Sequence, residues 1–251
     1  MHTTTDTLLQ GKLALLQPQM GYRFGTDAVL LAASTPALKI GQTILDLGCG
    51  VGAVLLQILH HQPHITGVGV ELNPNMAQLA TQNLSTNHMA ERGQIICADA
   101  TDNTLFKTLS QTMGQFDMVV CNPPYYPASQ NQAASLTQGR AQARTQKDGD
   151  LALWLKNANR LLKPKGLLRV IYPSAQLQAL LAAWPKGIGA VQLIPVWSKL
   201  GAPAKRIIVQ GRKGNRNPHN ILEHGLILHE YDGSYTAQAA QILEQGALWP
   251  I

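Results

Sequence analysis

Asp117-Met118-Val119-Val120-Cys121-Asn122-Pro123-Pro124-Tyr125-Tyr126 is the stretch from which the fold can be read. Its first half is a short apolar run with β-branched residues, the pattern of a strand buried on both faces. The run stops at two prolines, which lack the N–H that a central ladder needs. Asn122-Pro123-Pro124-Tyr125 is therefore expected to project from a buried strand end as a stiff loop. The Pro123 carbonyl, the Asn122 amide oxygen and the flat Tyr125 ring suit a planar ring bearing an –NH2: two acceptors for two protons, and a face for stacking. A proline-rich strand end with a turn-forming asparagine explains the same residues. The choice between the two rests on what lies upstream.

Upstream, Thr43-Ile44-Leu45-Asp46-Leu47 reads as a central strand running into Gly48-Cys49-Gly50-Val51-Gly52, with an amphipathic helix over 53–60. Strand, glycine turn and helix begin a nucleotide-binding unit, because glycines let the backbone approach a ligand and leave helix N–H groups open. A second strand over 65–72 ends at Glu71, nineteen residues beyond Gly52, where a carboxylate can accept both hydroxyls of a ribose. Gly48-x-Gly50-x-x-Ala53 also satisfies a relaxed dinucleotide pattern. Against a nicotinamide cofactor stand Asp46, an unwelcome charge for a pyrophosphate but not for a cationic ligand, and a loop at 122–125 with no part in hydride transfer.

The remaining pattern alternates helices and strands. A helix over 75–87 precedes a strand over 94–99 ending in Asp99, which can accept from an adenine amino group or cap the helix over 101–110. The strand over 116–121 follows. Residues 127–147 are polar, contain Arg140, Arg144 and Lys147, and are expected to form a substrate-facing lid, disordered when empty. A helix over 148–162, an αβ turn at Lys163-Pro164-Lys165-Gly166, a strand over 167–172 and a helix over 174–183 come next. Two strands, 191–197 and 207–210, can pair antiparallel, and the tail adds an edge strand over 225–231 and a helix over 236–245. At the N-terminus, a strand or hairpin over 12–20 leads through Gly21-Tyr22-Arg23-Phe24-Gly25-Thr26-Asp27 to a helix over 28–34, with Thr26 or Asp27 as cap or ligand.

At 251 residues the chain suits one α/β domain with additions. Residues 1–39 read as an extension contributing to the ligand site, and 40–251 as the main domain with a C-terminal appendage. Cys49, Cys97 and Cys121 lack paired metal spacing, and His60, His61 and His64 are expected to meet helix-end carbonyls, so no metal is expected. Without a secretory or membrane-spanning segment, a cytoplasmic protein with no membrane partner is expected. The net charge of +6 hides an asymmetry: residues 151–222 hold twelve Lys and Arg with no Asp or Glu, so the remainder is net −6. Such a tract suggests a polyanionic partner, against the alternative of a solvated basic face. Lys199, Lys205, Arg206, Arg212 and Lys213, with Arg140, Arg144 and Lys147, are the candidate RNA contacts.

Asp46-x-Gly48-x-Gly50-x-Gly52, then Glu71, Asp99 and Asn122-Pro123-Pro124-Tyr125 at successive strand ends, resembles the class I S-adenosylmethionine-dependent methyltransferases over residues 40–212. Gly21-Tyr22-Arg23-Phe24-Gly25-Thr26-Asp27-Ala28 and Val209-Gln210-Gly211-Arg212-Lys213-Gly214 look like the bacterial family that methylates N6 of the adenine beside the anticodon of a valine tRNA. The resemblance implies an α/β, Rossmann-like sheet of seven mostly parallel strands, the last antiparallel, with helices on both faces. It implies S-adenosylmethionine held by Asp46, Gly48, Gly50 and Gly52 at its methionine part, by Glu71 at the ribose and by Asp99 at the adenine, with Thr26 and Asp27 nearby. Asn122 and Pro123 would hold the target amino group and Tyr125 would stack on the base, the substrate being tRNA. Methylation of a release-factor glutamine, of guanine N2 in ribosomal RNA, or silent RNA binding on the same fold are the rivals. A release-factor enzyme would carry a sizeable N-terminal helical domain, for which about forty residues leave no room.

Overall fold

The computed structural model describes residues 2–21, 23–124, 150–217, 219–249 and 251. The chain opens with a hairpin of β1 (Thr3–Leu8) and β2 (Leu13–Pro18), followed by helix α1 (Thr26–Ala33). The hairpin starts earlier than the sequence suggested, because its threonine-rich first strand is largely exposed and carries almost no apolar signal. The α1 cap also differs from expectation: it is Gly25, with no side-chain hydrogen bond, so Thr26 and Asp27 sit in the first turn.

The central sheet follows. β3 (Thr43–Leu47), α2 (Ala53–His61), β4 (Thr66–Glu71), α3 (Pro74–Thr86), β5 (Gly93–Cys97), α4 (Asn103–Thr112) and β6 (Phe116–Cys121) alternate regularly. Then come α5 (Asp150–Leu161), β7 (Leu162–Pro173), a 3-10 turn at Ser174–Gln176, α6 (Leu177–Ala182), β8 (Ile188–Lys199) and β9 (Ala204–Lys213). The seven strands lie in the order β5-β4-β3-β6-β7-β9-β8, all parallel except β9, which runs antiparallel between β7 and β8. Two short strands, β10 (Ile221–Leu222) and β11 (Leu226–His229), add in parallel along the outer side of β8 and extend the expected seven to nine. Helix α7 (Ala237–Leu243) closes the tail.

Two apolar layers sandwich the sheet, as helical crossovers between parallel strands require. Ile44, Met118, Val120 and Ile171 face the layer of α1 and α2, whereas Leu45, Leu47, Val119 and Val170 face α5 and α6. The αβ turn expected at 163–166 is absorbed into β7, where the register against β6 shifts and Lys165 takes φ +67. A bulge of this kind tolerates Pro164 inside a strand.

The hairpin is fastened by side chains. Asn83 accepts from Leu16 N (2.7 Å) and donates to Leu16 O (2.9 Å); one turn later Asn87 does the same with Ala14, at 2.9 and 2.7 Å. Spacing of i, i+4 puts both amides on one helix face, and alternate residues of β2 turn their backbone groups toward it. Asn83 also donates to Val51 O (2.9 Å), so the N-terminal hairpin, α3 and the glycine turn are joined at one fully buried residue.

Candidate active site

Parallel strands bring their C-terminal ends to one rim, where open α/β sheets bind ligands. Leu47 pairs with Val70 on one side and Cys121 on the other, and Glu71 pairs with Cys97. The residues just beyond, Gly48 and Asn122, are therefore neighbours at the centre of the rim.

The glycine turn needs its glycines. Gly48, Gly50 and Gly52 have φ of +79, +57 and +84, in the left-handed region that side chains avoid. A Cβ on Gly48 would also lie 2.3 Å from the indole of Trp154, a residue of α5 that packs beneath the turn. Gly48 N and Cys49 N donate to Val70 O at 2.8 and 2.9 Å, and Gly52 caps α2. Glu71 closes the arrangement: one oxygen accepts from Gly50 N (2.8 Å), the other from Asn73 N (2.8 Å). A carboxylate has about four acceptor positions, so capacity remains for ligand hydroxyls.

Asp46 is 2% exposed beneath this turn, and its Oδ2 has no partner among the described residues. Burial, with a smaller push from the Glu71 charge and against a Leu55 backbone hydrogen bond, raises its carboxyl to about 7. A buried acid with one oxygen left without a partner beneath the glycine turn fits a ligand carrying positive charge, as S-adenosylmethionine does. Burial also holds the thiols of Cys49 and Cys121 well above their ordinary value, so neither is a ready nucleophile.

Asp99 lies two residues beyond β5 and accepts from Thr101 N (2.8 Å) and the Thr101 hydroxyl (2.7 Å). It is not the α4 cap; Asp102, accepting from Thr104 N at 2.7 Å, has that role. Asn122 is half-buried and Pro123 buried, while Tyr125, Arg140, Arg144, Lys147 and the lid at 127–147 lie outside the described residues. Asp27 accepts from Arg206 Nε (2.8 Å), linking the first turn of α1 to β9. Thr26 lines a hollow of about 290 Å³ with Phe24, Gln57 and Leu243, which includes no residue of the glycine turn.

The basic tract does not form one surface. Lys199, Lys205 and Arg206 stand at the rim that holds Asn122, whereas β9 carries Arg212 and Lys213 to the opposite rim. Eight residues of strand separate Lys205 from Lys213, or about 26 Å. Lys213 donates to Asn159 O (2.6 Å) and Leu162 O (2.7 Å) at the end of α5, and Arg212 to Lys165 O (3.3 Å). Arg169 is fully buried and bonded to Gln210. Likewise the α2 end carbonyls, expected to meet histidines, are met by Arg92, which donates to Leu59 O at 3.2 Å. Two contributors escaped sequence reasoning: Trp154 under Gly48 and Asn83 behind Val51. Only the i, i+4 asparagines left a signal, and polar residues at that spacing usually mean an exposed face.

This sheet order, with a glycine turn and acids at successive strand ends, defines an S-adenosylmethionine-dependent methyltransferase. The chain belongs to the methyltransferase small domain family, which it matches over residues 24–182. It is 30% identical to a tRNA1(Val) (adenine(37)-N6)-methyltransferase of Proteus mirabilis, covering 86% of this chain and 83% of the relative. The enzyme of that name from Porphyromonas gingivalis is 28% identical, covering 96% and 94%. Among solved structures, a protein from Agrobacterium tumefaciens titled a predicted O-methyltransferase superposes with a TM-score of 0.72 at 22% identity, over 90% of this chain and 99% of that one; this likeness shows the fold. The protein is thus an enzyme that takes its methyl group from S-adenosylmethionine. No helix among the described residues is long and apolar enough to cross a membrane, and no three His, Cys, Asp or Glu residues there come together as a metal site.

Proposed function

We propose that this enzyme methylates the exocyclic N6 of an adenine in tRNA, specifically the adenine beside the anticodon of a valine tRNA. The observation that carries the reading is the neighbouring of Asn122-Pro123 and the glycine turn through the Leu47–Cys121 pair, and the names of the relatives point the same way. Asp46, Gly48, Gly50 and Gly52 bound the methionine part of the cofactor, Glu71 takes the ribose and Asp99 the adenine. The N-terminal residues 1–39 brace this site through Asn83 and the Val51 carbonyl, with Thr26 and Asp27 beside it. The RNA is held by Lys199, Lys205 and Arg206 at the rim, and by Arg140, Arg144 and Lys147.

S-adenosylmethionine supplies a methyl group activated by its sulfonium. An exocyclic amine is a poor nucleophile because its lone pair is delocalised into the ring. The Asn122 side-chain oxygen and the Pro123 carbonyl accept its two N–H groups, rehybridise the nitrogen and stabilise the positive charge that grows there. Tyr125 stacks on the base, and alignment supplies much of the remaining acceleration. No strong base is required; the proton released after the N–C bond forms leaves to water. A base in a single-stranded loop reaches such a pocket at little unstacking cost. Tritiated-methyl transfer, with tRNA and release factor offered side by side, tests the reading. Label confined to tRNA and recovered as N6-methyladenosine is expected; label on the protein glutamine would overturn it.

A further inference from the structure

Three strands away from Asn122, on the same rim, lies a cleft of about 890 Å³ whose lining includes none of the candidate cofactor residues. At about 4.8 Å per strand step, β6 to β8 places it some 14 Å from the catalytic loop. Trp197, Lys199, Leu200 and Pro203 of β8 and its turn form one side; Ile227 and Glu230, from β11 and just beyond it, form the other. The walls are braced. The Trp197 indole N–H donates to His224 O (3.1 Å), and a ring nitrogen of His229 lies 2.9 Å from Ser198 O. The His229 ring also stacks on Tyr235, centroids 4.9 Å apart.

We propose that this cleft is a second RNA subsite, which takes the base of an unpaired nucleotide flanking the target adenine. The inference rests on the RNA reading above. A volume in this range is that of a small-molecule pocket. Its lining has the three parts that a splayed nucleotide needs: an apolar slot with an indole for the base, a cation for the phosphate and an acceptor for a base edge. Lys199 supplies the cation, and Lys205 is exposed on the neighbouring strand β9; neither pairs with a carboxylate among the described residues. Glu230 would repel a second phosphate, but it accepts from an amino or imino edge, as carboxylates do from cytosine N4. The site therefore favours a base that presents a donor. Leu200, 57% exposed at the mouth, is an apolar side chain that such a base would cover.

Coupling between protein and RNA changes tests the subsite. Each nucleotide flanking the target in the anticodon loop is replaced in turn by an abasic one, and affinity is measured for the parent enzyme and for Ala202→Trp, which fills the cleft. In the parent, one position is expected to lose affinity by about tenfold, the scale of one stacked base. In Ala202→Trp that same position is expected to cost nothing, while cofactor affinity and melting temperature stay at parent values. If Ala202→Trp does not fold, Lys199→Glu serves the same cycle, with the abasic penalty expected to shrink. Parent and variant losing equally at every abasic position would overturn the subsite and leave the methylation of tRNA standing. A parent enzyme that transfers no methyl group to any RNA would overturn both.

Discussion

Two aspartates on adjacent strands show how differently the two rims of the sheet are built. Asp117, near the start of β6, accepts from Thr43 N (2.9 Å), Gln42 (3.0 Å) and Lys163 (2.7 Å). Burial alone would raise its carboxyl, but these partners outweigh it and hold the group below its usual value of 3.8. Asp46, near the end of β3, is buried more deeply and keeps one oxygen without a partner among the described residues. The first rim is finished by its own side chains. The second leaves a buried carboxylate oxygen unsatisfied at the place where we propose the cofactor binds, so that stability there yields to function.

The largest effect is expected at the open rim. Asn122→Ala should lower single-turnover methyl transfer by about 10²–10³-fold, or about 2.7–4 kcal/mol, because the side-chain oxygen grips the amine most strongly as it rehybridises. RNA and cofactor affinity should change far less. Transfer at the parent rate would make the loop structural. Next is Glu71→Ala, which should weaken S-adenosylmethionine binding by about 1.5–3 kcal/mol, the scale of hydrogen bonds to a charged group. Unchanged affinity by calorimetry would remove the ribose assignment.

The aspartate pair itself gives a smaller, signed contrast in the cofactor-free protein. The folded-state value of Asp46, about 7, lies above the unfolded 3.8. The folded chain therefore retains a proton that the unfolded chain has lost, and stability should fall as pH rises from 3.8 through about 7. Asp46→Asn should flatten that fall. Asp117, with its lowered value, contributes stability above pH 3.8 that disappears as pH drops below it. Asp117→Asn should cost about 1–2 kcal/mol at neutral pH, a value discounted for partial exposure, with cofactor affinity intact. Denaturant melts across pH check both slopes, and parallel curves for the two variants would erase the contrast.

The smallest effect separates the basic residues. Charge reversal at Lys199 and Lys205 should reduce the slope of log affinity against log salt by about 0.7–0.9 for each phosphate no longer neutralised. Reversal at Arg212 and Lys213 should leave the slope alone and lower the melting temperature instead, since these side chains hold the end of α5 and the β7 bulge. Equal slopes for the two pairs would return the tract to a single surface.

Most of the sheet was legible because buried parallel strands announce themselves as apolar runs with turn residues at each end. The strand at 116–121 was read to the residue, and the antiparallel pair β8–β9 was visible in its two runs. Local chemistry also marked Asp46, the glycine turn and Glu71. What could not be read depended on the third dimension. Twelve basic residues in one acid-free tract look like one patch until a strand carries Lys213 away from Lys205. Asp99 and Asp102 are equally good helix caps in sequence, and only the true start of α4 chooses between them. The threonines of β1 have strand propensity without the apolar alternation that would reveal it.

The paired asparagines of α3 and its end have a consequence for solubility. β2 has one side joined to β1 and the other met by Asn83 and Asn87. Were those amides absent, a row of bare N–H and C=O groups would offer another chain a template for strand addition. The two side chains thus act as a guard against self-association, in a place where a helix rather than a strand happens to be the neighbour. Replacing both with leucine would keep the bulk but leave the Ala14 and Leu16 backbone groups without partners, so the hairpin would have to part from α3 to satisfy them with water or with a strand of a second molecule.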